Sequence, residues 1–196
     1  MSEHIRTALL VVDVQNDFCE GGSLAVRGGA DVAAAITRYT RRDHGYQAIA
    51  ATRDHHIDPG AHFSDTPDFV DSWPRHCVVG TPGMDFHPHF DASVADATFS
   101  KGDFNAAYSG FEGVDSTDTP LVDWLRDRQI NAVDVVGLTT DHCVRATALD
   151  AVAAGFETRV LLGYCAGVAA ETTSAALAQM SSAGVTLVPP SAGDHI

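Results

Sequence analysis

The sequence predicts an α/β protein in which a mainly parallel β-sheet lies between layers of helices. Short apolar runs alternate along the 196-residue chain with segments whose apolar residues recur at helical spacing. The runs are continuous rather than alternating with polar residues, which indicates strands that are covered on both faces. Polar residues directly follow several runs, and ligands of such sheets bind at the carboxyl ends of the strands. The same pattern therefore predicts the fold class and the place of a functional site.

Six apolar or β-branched runs predict the strands, at residues 8–12, 48–52, 98–100, 133–136, 158–162 and 185–188. The first run is typical of a fully buried strand, and Asp13 follows it directly. The second run ends at Arg53 and Asp54, and the short third run ends at Lys101. Because the carboxyl ends of parallel strands share one edge of a sheet, we expect these polar side chains to meet there.

Four segments with apolar residues at helical spacing predict helices, at residues 31–42, 119–129, 144–152 and 170–182. In the first of them Val32, Ile36 and Tyr39 share one face. Residues 55–95 contain five prolines and six histidines and are predicted to be rich in loops. We find no repeat, low-complexity tract or linker in the sequence, so we expect a single domain over residues 1–196.

The position of Cys143 is the first indication of chemistry. The fourth apolar run ends at Gly137, and Thr140 and Asp141 are good N-cap residues. Cys143 is therefore predicted in the first turn of a helix, where free backbone N–H groups and the helix dipole stabilise a thiolate. The same N–H groups are able to hold an oxyanion on an attacked carbonyl. The alternative is a small buried thiol at the end of a core strand.

Asp13 and Lys101 are of the residue types that a cysteine nucleophile requires. A thiol is mostly protonated at neutral pH, and it becomes reactive when a base removes its proton or a cation stabilises its charge. We therefore expect Asp13 as the base, Lys101 as the cation and Cys143 as the nucleophile of one site. Taken singly, Asp13 could instead cap a loop, and Lys101 could be the solvated end of a strand.

A second group of residues is suited to binding a metal ion. Residues two apart at a strand end point to the same side, so Asp54 and His56 can share a ligand while His55 faces away. His62 and His76 lie in loops that can fold back to them. One carboxylate with up to three imidazoles suits Fe, Zn or Mn, although loop histidines are often plain surface residues. Aromatic residues in the loops would line a flat pocket or cover core edges, namely Phe18, Phe63, Trp73 and Tyr108.

The charge, the hydrophobic runs and the cysteines of the sequence indicate which partners and which compartment to expect. The formal net charge of −14 makes nucleic acid an unsuitable partner, because an acidic chain repels phosphate backbones. No signal peptide and no apolar run long enough to span a bilayer is found, so no membrane association is expected. The four cysteines form no C-x-x-C pair. We expect a cytoplasmic protein with reduced thiols, although four cysteines in a secreted chain could form disulfides.

Together these residues resemble the nicotinamidase/pyrazinamidase family of the isochorismatase-like cysteine hydrolases. The resemblance runs from about residue 8 to residue 188, and chance does not produce all of its motifs together. These motifs lie at residues 11–19, 54–60 with 62–63, 72–77, 101–102, 107–111 and 140–144. The resemblance implies a three-layer α/β/α fold and hydrolysis of nicotinamide to nicotinate and ammonia through a cysteine thioester, which would recycle nicotinamide toward NAD. Pyrazinamide is the implied surrogate substrate.

The resemblance also implies roles for individual residues. Asp13, Lys101 and Cys143 match the catalytic triad, and one divalent metal ion (Fe, Zn or Mn) would be bound by Asp54, His56, His62 and His76. The Leu138–Thr139 peptide bond matches a non-proline cis peptide, which would direct the N–H groups of Thr139 and Cys143 at the substrate oxygen. The matched substrate-pocket residues are Phe18, Trp73, Tyr108, Leu138 and His142.

This chain departs from the family pattern at two positions beside the predicted metal ligands. His55 stands where a bulky apolar or aromatic residue is usual, and Arg75 adds a cation near the site that would tune affinity or the pKa of His76. Two alternatives remain, a hydrolase of the same superfamily that acts on another small amide, and a metal-binding protein without catalysis. The oligomeric state is left open between a monomer and a small homo-oligomer.

Overall fold

The computed structural model describes residues 5–191, and within that range six strands form one sheet. The strands are β1 (Thr7–Val12), β2 (Ala48–Asp54), β3 (Ala97–Lys101), β4 (Ala132–Leu138), β5 (Glu157–Ala166) and β6 (Thr186–Val188). Their order across the sheet is β3-β2-β1-β4-β5-β6. All neighbouring pairs are parallel, so the carboxyl ends of the strands lie at one edge, as the sequence predicts.

Four α-helices within residues 5–191 accompany the sheet, namely α1 (Gly29–Thr40), α2 (Leu121–Asp127), α3 (Arg145–Ala153) and α4 (Ala170–Ser182). The helix predicted at 119–129 is shorter at both ends. Pro120 is extended and precedes the first turn, and Gln129 has a left-handed backbone with φ of 57°. Neither conformation continues an α-helix. No helix in the described range combines the length and apolar character needed to cross a bilayer.

Alternate residues of β1 pack into two different hydrophobic cores, one on each face of the sheet, which explains its continuous apolar sequence. Leu10 and Val12 belong to a core that includes buried residues of α2, α3 and α4. Leu9 and Val11 belong to a second core that includes the buried face of α1. The sheet is therefore covered on both faces, and the architecture is the three-layer α/β/α sandwich that the family resemblance implies.

β5 is longer than the predicted 158–162 and continues through Gly163 to Ala166. Its pairing with β4 is regular up to Val135, then shifts, and resumes where Gly137 lies opposite Cys165. The shift is a bulge-like irregularity that lets a glycine-containing segment stay in the sheet. Periodicity does not reveal it, because the pairing depends on a strand that is distant in the sequence.

The strand order places a crevice between β1 and β4. β2 and β3 extend the sheet on one side of this pair, while β5 and β6 extend it on the other. Ligands of open parallel sheets bind at such a switch point. At Gly137 the two strands approach closely, since a Cβ atom there would lie 2.1 Å from the Val12 carbonyl oxygen. Asp13 follows β1 and the segment that carries Cys143 follows β4, so both reach the crevice.

Candidate active site

The structure brings Asp13, Lys101 and Cys143 together at the carboxyl ends of β1, β3 and β4. The Lys101 Nζ atom lies 2.9 Å from Asp13 Oδ2 and 3.8 Å from Cys143 Sγ. It also contacts a carboxylate oxygen of Asp54 and lies 3.4 Å from the Ala107 carbonyl oxygen. Lys101 is only 2% exposed, which rules out the alternative of a solvated strand end. We refer to Asp13, Lys101 and Cys143 as the Asp–Lys–Cys cluster.

Asp13 is held in place by its neighbours rather than by a regular element. Its backbone lies in the left-handed region, with φ of 48°, and its N–H donates to the Thr52 carbonyl at 3.2 Å. The Thr52 hydroxyl donates to Asp13 Oδ1 at 2.6 Å, which leaves Oδ2 for Lys101. Complete burial raises the pKa of Asp13 although the charge of Lys101 opposes the rise. A raised pKa makes this carboxylate a stronger base.

The cluster carries one positive charge in contact with a thiol. Burial alone would lower the pKa of Lys101, but the carboxylates of Asp13 and Asp54 raise it well above its ordinary value. Burial raises the pKa of the Cys143 thiol, and the Lys101 ammonium acts in the opposite direction. The thiol is therefore neutral at rest, and its deprotonation requires an adjacent base and an adjacent cation. The cluster supplies both.

Cys143 lies in a single π-helical turn, Thr140–Val144, which precedes α3. We call this segment the cysteine turn; isolated π-turns are frequent at functional sites. The carbonyl of Thr139 accepts hydrogen bonds from the N–H groups of His142 and Val144, both at 3.1 Å. The prediction that Cys143 lies in the first turn of a helix beyond β4 is therefore confirmed, and that turn is π-helical before the chain continues into α3.

The predicted N-cap role of Thr140 and Asp141 is wrong. Thr139 occupies the cap position of the cysteine turn and makes no side-chain capping hydrogen bond to the described residues. The Asp141 carboxylate reaches α4 instead, where it accepts hydrogen bonds from Val168 N–H at 3.0 Å and from the Thr172 hydroxyl at 2.5 Å. It therefore ties the cysteine turn to the start of another helix.

The peptide bond between Leu138 and Thr139 is cis, as the family resemblance implies. It joins the last residue of β4 to a residue that lines the same cavity as Cys143. The backbone of Thr139 is therefore at the mouth of the crevice, next to the sulfur that the resemblance assigns as nucleophile.

Three buried histidines converge beside the Asp–Lys–Cys cluster. One ring nitrogen each of His56, His62 and His76 lies within 4.8 Å of the others, and we call these residues the histidine cluster. Asp54 Oδ2 lies 3.6 Å from His56 Nε2 and 3.7 Å from His76 Nε2. Asp54 is the last residue of β2, so its carboxylate faces the histidine cluster with one oxygen and Lys101 with the other.

Hydrogen bonds fix the orientation of two of these rings. His56 Nδ1 is 2.6 Å from the Gly102 carbonyl oxygen, and His76 Nδ1 is 2.8 Å from that of Pro74. A carbonyl accepts only from a protonated nitrogen, so in the neutral form of each ring Nε2 keeps a lone pair that faces the cluster. Gly102 permits the contact, because a Cβ atom there would lie 2.6 Å from the His56 ring and φ is +86°.

The donor set fits a divalent metal ion. His56 Nε2 and His62 Nδ1 are buried and lack hydrogen-bond partners among residues 5–191. Burial and the neighbouring histidines lower the pKa of His62 to about 4, so its ring is neutral and available as a ligand near pH 7. A metal ion would satisfy nitrogens that are otherwise costly to bury. A carboxylate with three imidazoles is a donor set that zinc and iron accept.

The two unusual residues next to the predicted metal ligands contact other side chains. His55 Nδ1 lies 2.7 Å from Asp103 Oδ1, so the predicted alternation of His55 and His56 is correct. The Arg75 guanidinium lies over the Phe63 ring at 5.2 Å. The pKa of His76 is lowered chiefly by burial, and the largest charge effects on it come from Asp54, His56 and Asp17. An effect of Arg75 on His76 stays a prediction.

A cavity of about 270 Å³ opens between the two clusters. It is lined by four of the predicted pocket residues, namely Phe18, Trp73, Tyr108 and His142. Trp73 Nε1 donates to the Tyr108 hydroxyl at 3.1 Å, and the Trp73 and His142 rings meet edge to face at 5.1 Å. Leu138 is different, because its side chain is fully buried in the core that contains α1 and does not line the cavity. Its contribution to this region is its backbone.

Three residues at the site were not predicted as site residues from the sequence. Phe69 and Val168 line the cavity and are more than half exposed. Gln15 is fully buried, and its side-chain amide pairs with both backbone groups of Asp54, accepting from N–H and donating to the carbonyl, each at 2.8 Å. Only the position of Gln15 two residues after Asp13 marked it, within the first motif of the family resemblance.

A parallel α/β sandwich with a buried cysteine, lysine and aspartate at its switch point defines a class, the cysteine hydrolases of α/β fold. The chain belongs to the isochorismatase family, whose domain model matches residues 7–189. It is 61% identical over 181 residues to the nicotinamidase/pyrazinamidase of Mycobacterium tuberculosis, which covers 92% of this chain and 97% of that protein. The resemblance found in the sequence is thus confirmed.

Solved structures agree with this assignment. The pyrazinamidase of Pyrococcus horikoshii in complex with zinc superposes with a TM-score of 0.79 and 36% identity, covering 94% of this chain and 99% of that one. The yeast nicotinamidase bound to the inhibitor nicotinaldehyde superposes with a TM-score of 0.80 and 25% identity, covering 94% of this chain and all of that one.

Proposed function

We propose that this protein is a nicotinamidase, which hydrolyses nicotinamide to nicotinate and ammonia and accepts pyrazinamide as a second substrate. The observation that carries the proposal is the buried Asp–Lys–Cys cluster, which opens through Cys143 into a small cavity walled by aromatic side chains. High identity to a nicotinamidase/pyrazinamidase over nearly the whole chain supports the same substrate. The aromatic walls suit a flat heteroaromatic ring.

The first half of the reaction uses the Asp–Lys–Cys cluster. Asp13 accepts the thiol proton while the Lys101 ammonium stabilises the thiolate that forms. The Cys143 sulfur bonds to the amide carbon, and the electron pair of the C=O π bond moves to the oxygen. The N–H groups of Thr139 and Cys143 hold this oxyanion; loss of one such donor costs roughly 10²–10³ in rate.

The second half releases both products and restores the thiol. Asp13 gives its proton to the leaving nitrogen, the C–N bond breaks, and ammonia departs from a thioester on Cys143. Water, deprotonated by Asp13, adds to the thioester carbon and the C–S bond breaks. Nicotinate leaves, and the proton returns to the sulfur. Phe18, Trp73, Tyr108 and His142 would pack around the ring during both steps.

Asp54, His56, His62 and His76 would hold one divalent ion, either Fe, Zn or Mn. When bound, the ion supplies a Lewis-acidic site at the wall of the cavity, suited to the ring nitrogen of the substrate. Gly102 and Pro74 orient two of the ligands through their carbonyl groups. The zinc complex of the superposed Pyrococcus pyrazinamidase supports a divalent metal ion as the occupant.

Ammonia release from nicotinamide tests the proposal. We expect the wild type to release ammonia and Cys143→Ala to lose this activity, because no other group forms the thioester. Unchanged activity in Cys143→Ala would contradict covalent catalysis. Hydrolysis of other small amides without nicotinamide would favour a different hydrolase of the superfamily, and hydrolysis of no amide would favour a metal-binding protein. A metal analysis of protein purified without added metal identifies the ion.

The remaining features of the proposal come from the sequence alone. A single domain over residues 1–196, a cytoplasmic location and a state between monomer and small homo-oligomer stay predictions. All four cysteines are buried free thiols, which is consistent with a reducing compartment.

A further inference from the structure

Thr139 has a polar side chain that the reaction described so far does not use. The residue is 5% exposed, follows the cis peptide bond and lines the cavity together with Cys143. Its carbonyl accepts two backbone hydrogen bonds within the cysteine turn. Its hydroxyl oxygen, Oγ1, is buried and has no hydrogen-bond partner among residues 5–191. A buried hydroxyl without a partner is unfavourable, and a valine of the same shape would avoid that cost.

Within residues 5–191, two other buried side-chain atoms lack any partner, and both lie in the proposed metal site. They are His56 Nε2 and His62 Nδ1 of the histidine cluster. Asp13 Oδ2 has no hydrogen-bond partner either, but it forms an ion pair with Lys101 at 2.9 Å. By the same reasoning, Thr139 Oγ1 has a partner that arrives with the substrate.

We propose that the Thr139 hydroxyl is a catalytic group that donates a hydrogen bond to the substrate carbonyl oxygen, in addition to the backbone N–H groups. This inference rests on the proposed amide hydrolysis. When Cys143 attacks, the oxygen gains the π electron pair, and a fixed O–H dipole beside it stabilises the new charge. The hydroxyl keeps its proton, so no further acid or base is required.

The test compares Thr139→Val, which keeps the shape, with Thr139→Ser, which keeps the hydroxyl. For nicotinamide we expect kcat of Thr139→Val to fall roughly 10- to 100-fold with little change in KM, because the hydrogen bond strengthens as charge develops. Thr139→Ser should recover most of the loss. The melting temperature of Thr139→Val should stay equal to the wild type or rise, since an unpartnered hydroxyl is removed.

Nicotinaldehyde supplies a readout that a purely structural role would not change. An aldehyde forms a thiohemiacetal with a cysteine. The oxygen of this adduct takes the place of the oxyanion, but the adduct has no amide nitrogen. We expect Thr139→Val to weaken inhibition by nicotinaldehyde by a factor similar to its loss in kcat. Loss of kcat with unchanged nicotinaldehyde inhibition would overturn the proposal, because the hydroxyl would then contact the amide nitrogen. Wild-type kcat in Thr139→Val would overturn it as well.

Thr158→Val is the matched control. Thr158 is a buried threonine at the start of β5, at the opposite edge of the sheet, and its hydroxyl donates to the Phe156 carbonyl at 3.0 Å. Its replacement should lower the melting temperature and leave kcat unchanged. If the wild type does not hydrolyse nicotinamide, the proposed function is wrong. If the wild type hydrolyses it and Thr139→Val has the same kcat, only the inference about Thr139 is wrong.

Discussion

The Lys101 ammonium is in contact with two buried carboxylates and a buried thiol. Its removal would leave the charges of Asp13 and Asp54 side by side without a cation, which is far costlier than the loss of a surface ion pair. The side chain therefore supports the folded state as well as the reaction. Both functions depend on contacts between residues at the carboxyl ends of four strands, β1 to β4.

For Lys101→Met we expect the free energy of unfolding to fall by about 3–5 kcal/mol and nicotinamide hydrolysis to be lost. Urea unfolding near pH 7 measures the first effect. Arg41→Met is the control, because the Arg41–Asp91 pair at 3.3 Å lies at the surface and its loss should leave the free energy of unfolding almost unchanged. Equal losses in the two variants would contradict the buried charge network.

Site residues that directly follow a predicted strand could be found from the sequence. Residues that support the site through partners distant in the sequence could not. Asp13, Asp54 and Lys101 were found because each marks the end of an apolar run. Thr52 and Gln15 were missed as supports, since their partners, Asp13 and Asp54, are 39 residues away in the sequence. Leu138 was assigned to the pocket from the resemblance, but strand pairing turns its side chain into the core.

At the scale of elements, the cysteine turn depends on α4. The Asp141 carboxylate accepts hydrogen bonds from the backbone at Val168 and from Thr172, so it binds the first turn of that helix. Burial would raise the pKa of Asp141, but these hydrogen bonds outweigh it and lower the pKa. The helix end and the nucleophile are thereby held by the same side chain.

For Asp141→Asn we expect the free energy of unfolding at pH 7 to fall by about 1–2 kcal/mol. A lowered folded-state pKa contributes stability that is present above the unfolded pKa and lost as the pH falls through the folded value. The difference between wild type and variant should therefore shrink in acid. Chemical denaturation from pH 7 downward measures it, with Asp150→Asn on the exposed side of α3 as control. A difference that is constant with pH would contradict a role for the charge.

Element boundaries were predicted least well where backbone geometry, rather than periodicity, decides them. α2 begins after Pro120 and ends before the left-handed Gln129. The cysteine turn is π-helical because the Thr139 carbonyl accepts from Val144 N–H, five residues further on, a pattern that no spacing of apolar residues indicates. The order of the six strands and four α-helices followed from the apolar runs and the helical spacing of apolar residues.

The histidine cluster links the stability of the whole molecule to metal. An ion that binds the folded chain and not the unfolded one stabilises it, by about 2.7 kcal/mol when the free metal is 100 times Kd. We expect zinc to raise the melting temperature of chelator-treated protein in proportion to the logarithm of its concentration. His56→Ala should lose this response, and His89→Ala, an exposed histidine outside the cluster, should keep it. The same shift in all three proteins would contradict the assigned ligands.

The central pairing of β1 with β4 has a consequence for the chain during synthesis. Asp13 leaves the ribosome early, whereas Cys143 follows only after more than a hundred further residues, and the crevice between them exists only once β4 has docked beside β1. A nascent or truncated polypeptide that stops before that strand has no thiol next to its base and cation. The sulfur, its base and its cation therefore come together only when β4 has paired with β1 and the chain beyond it has folded.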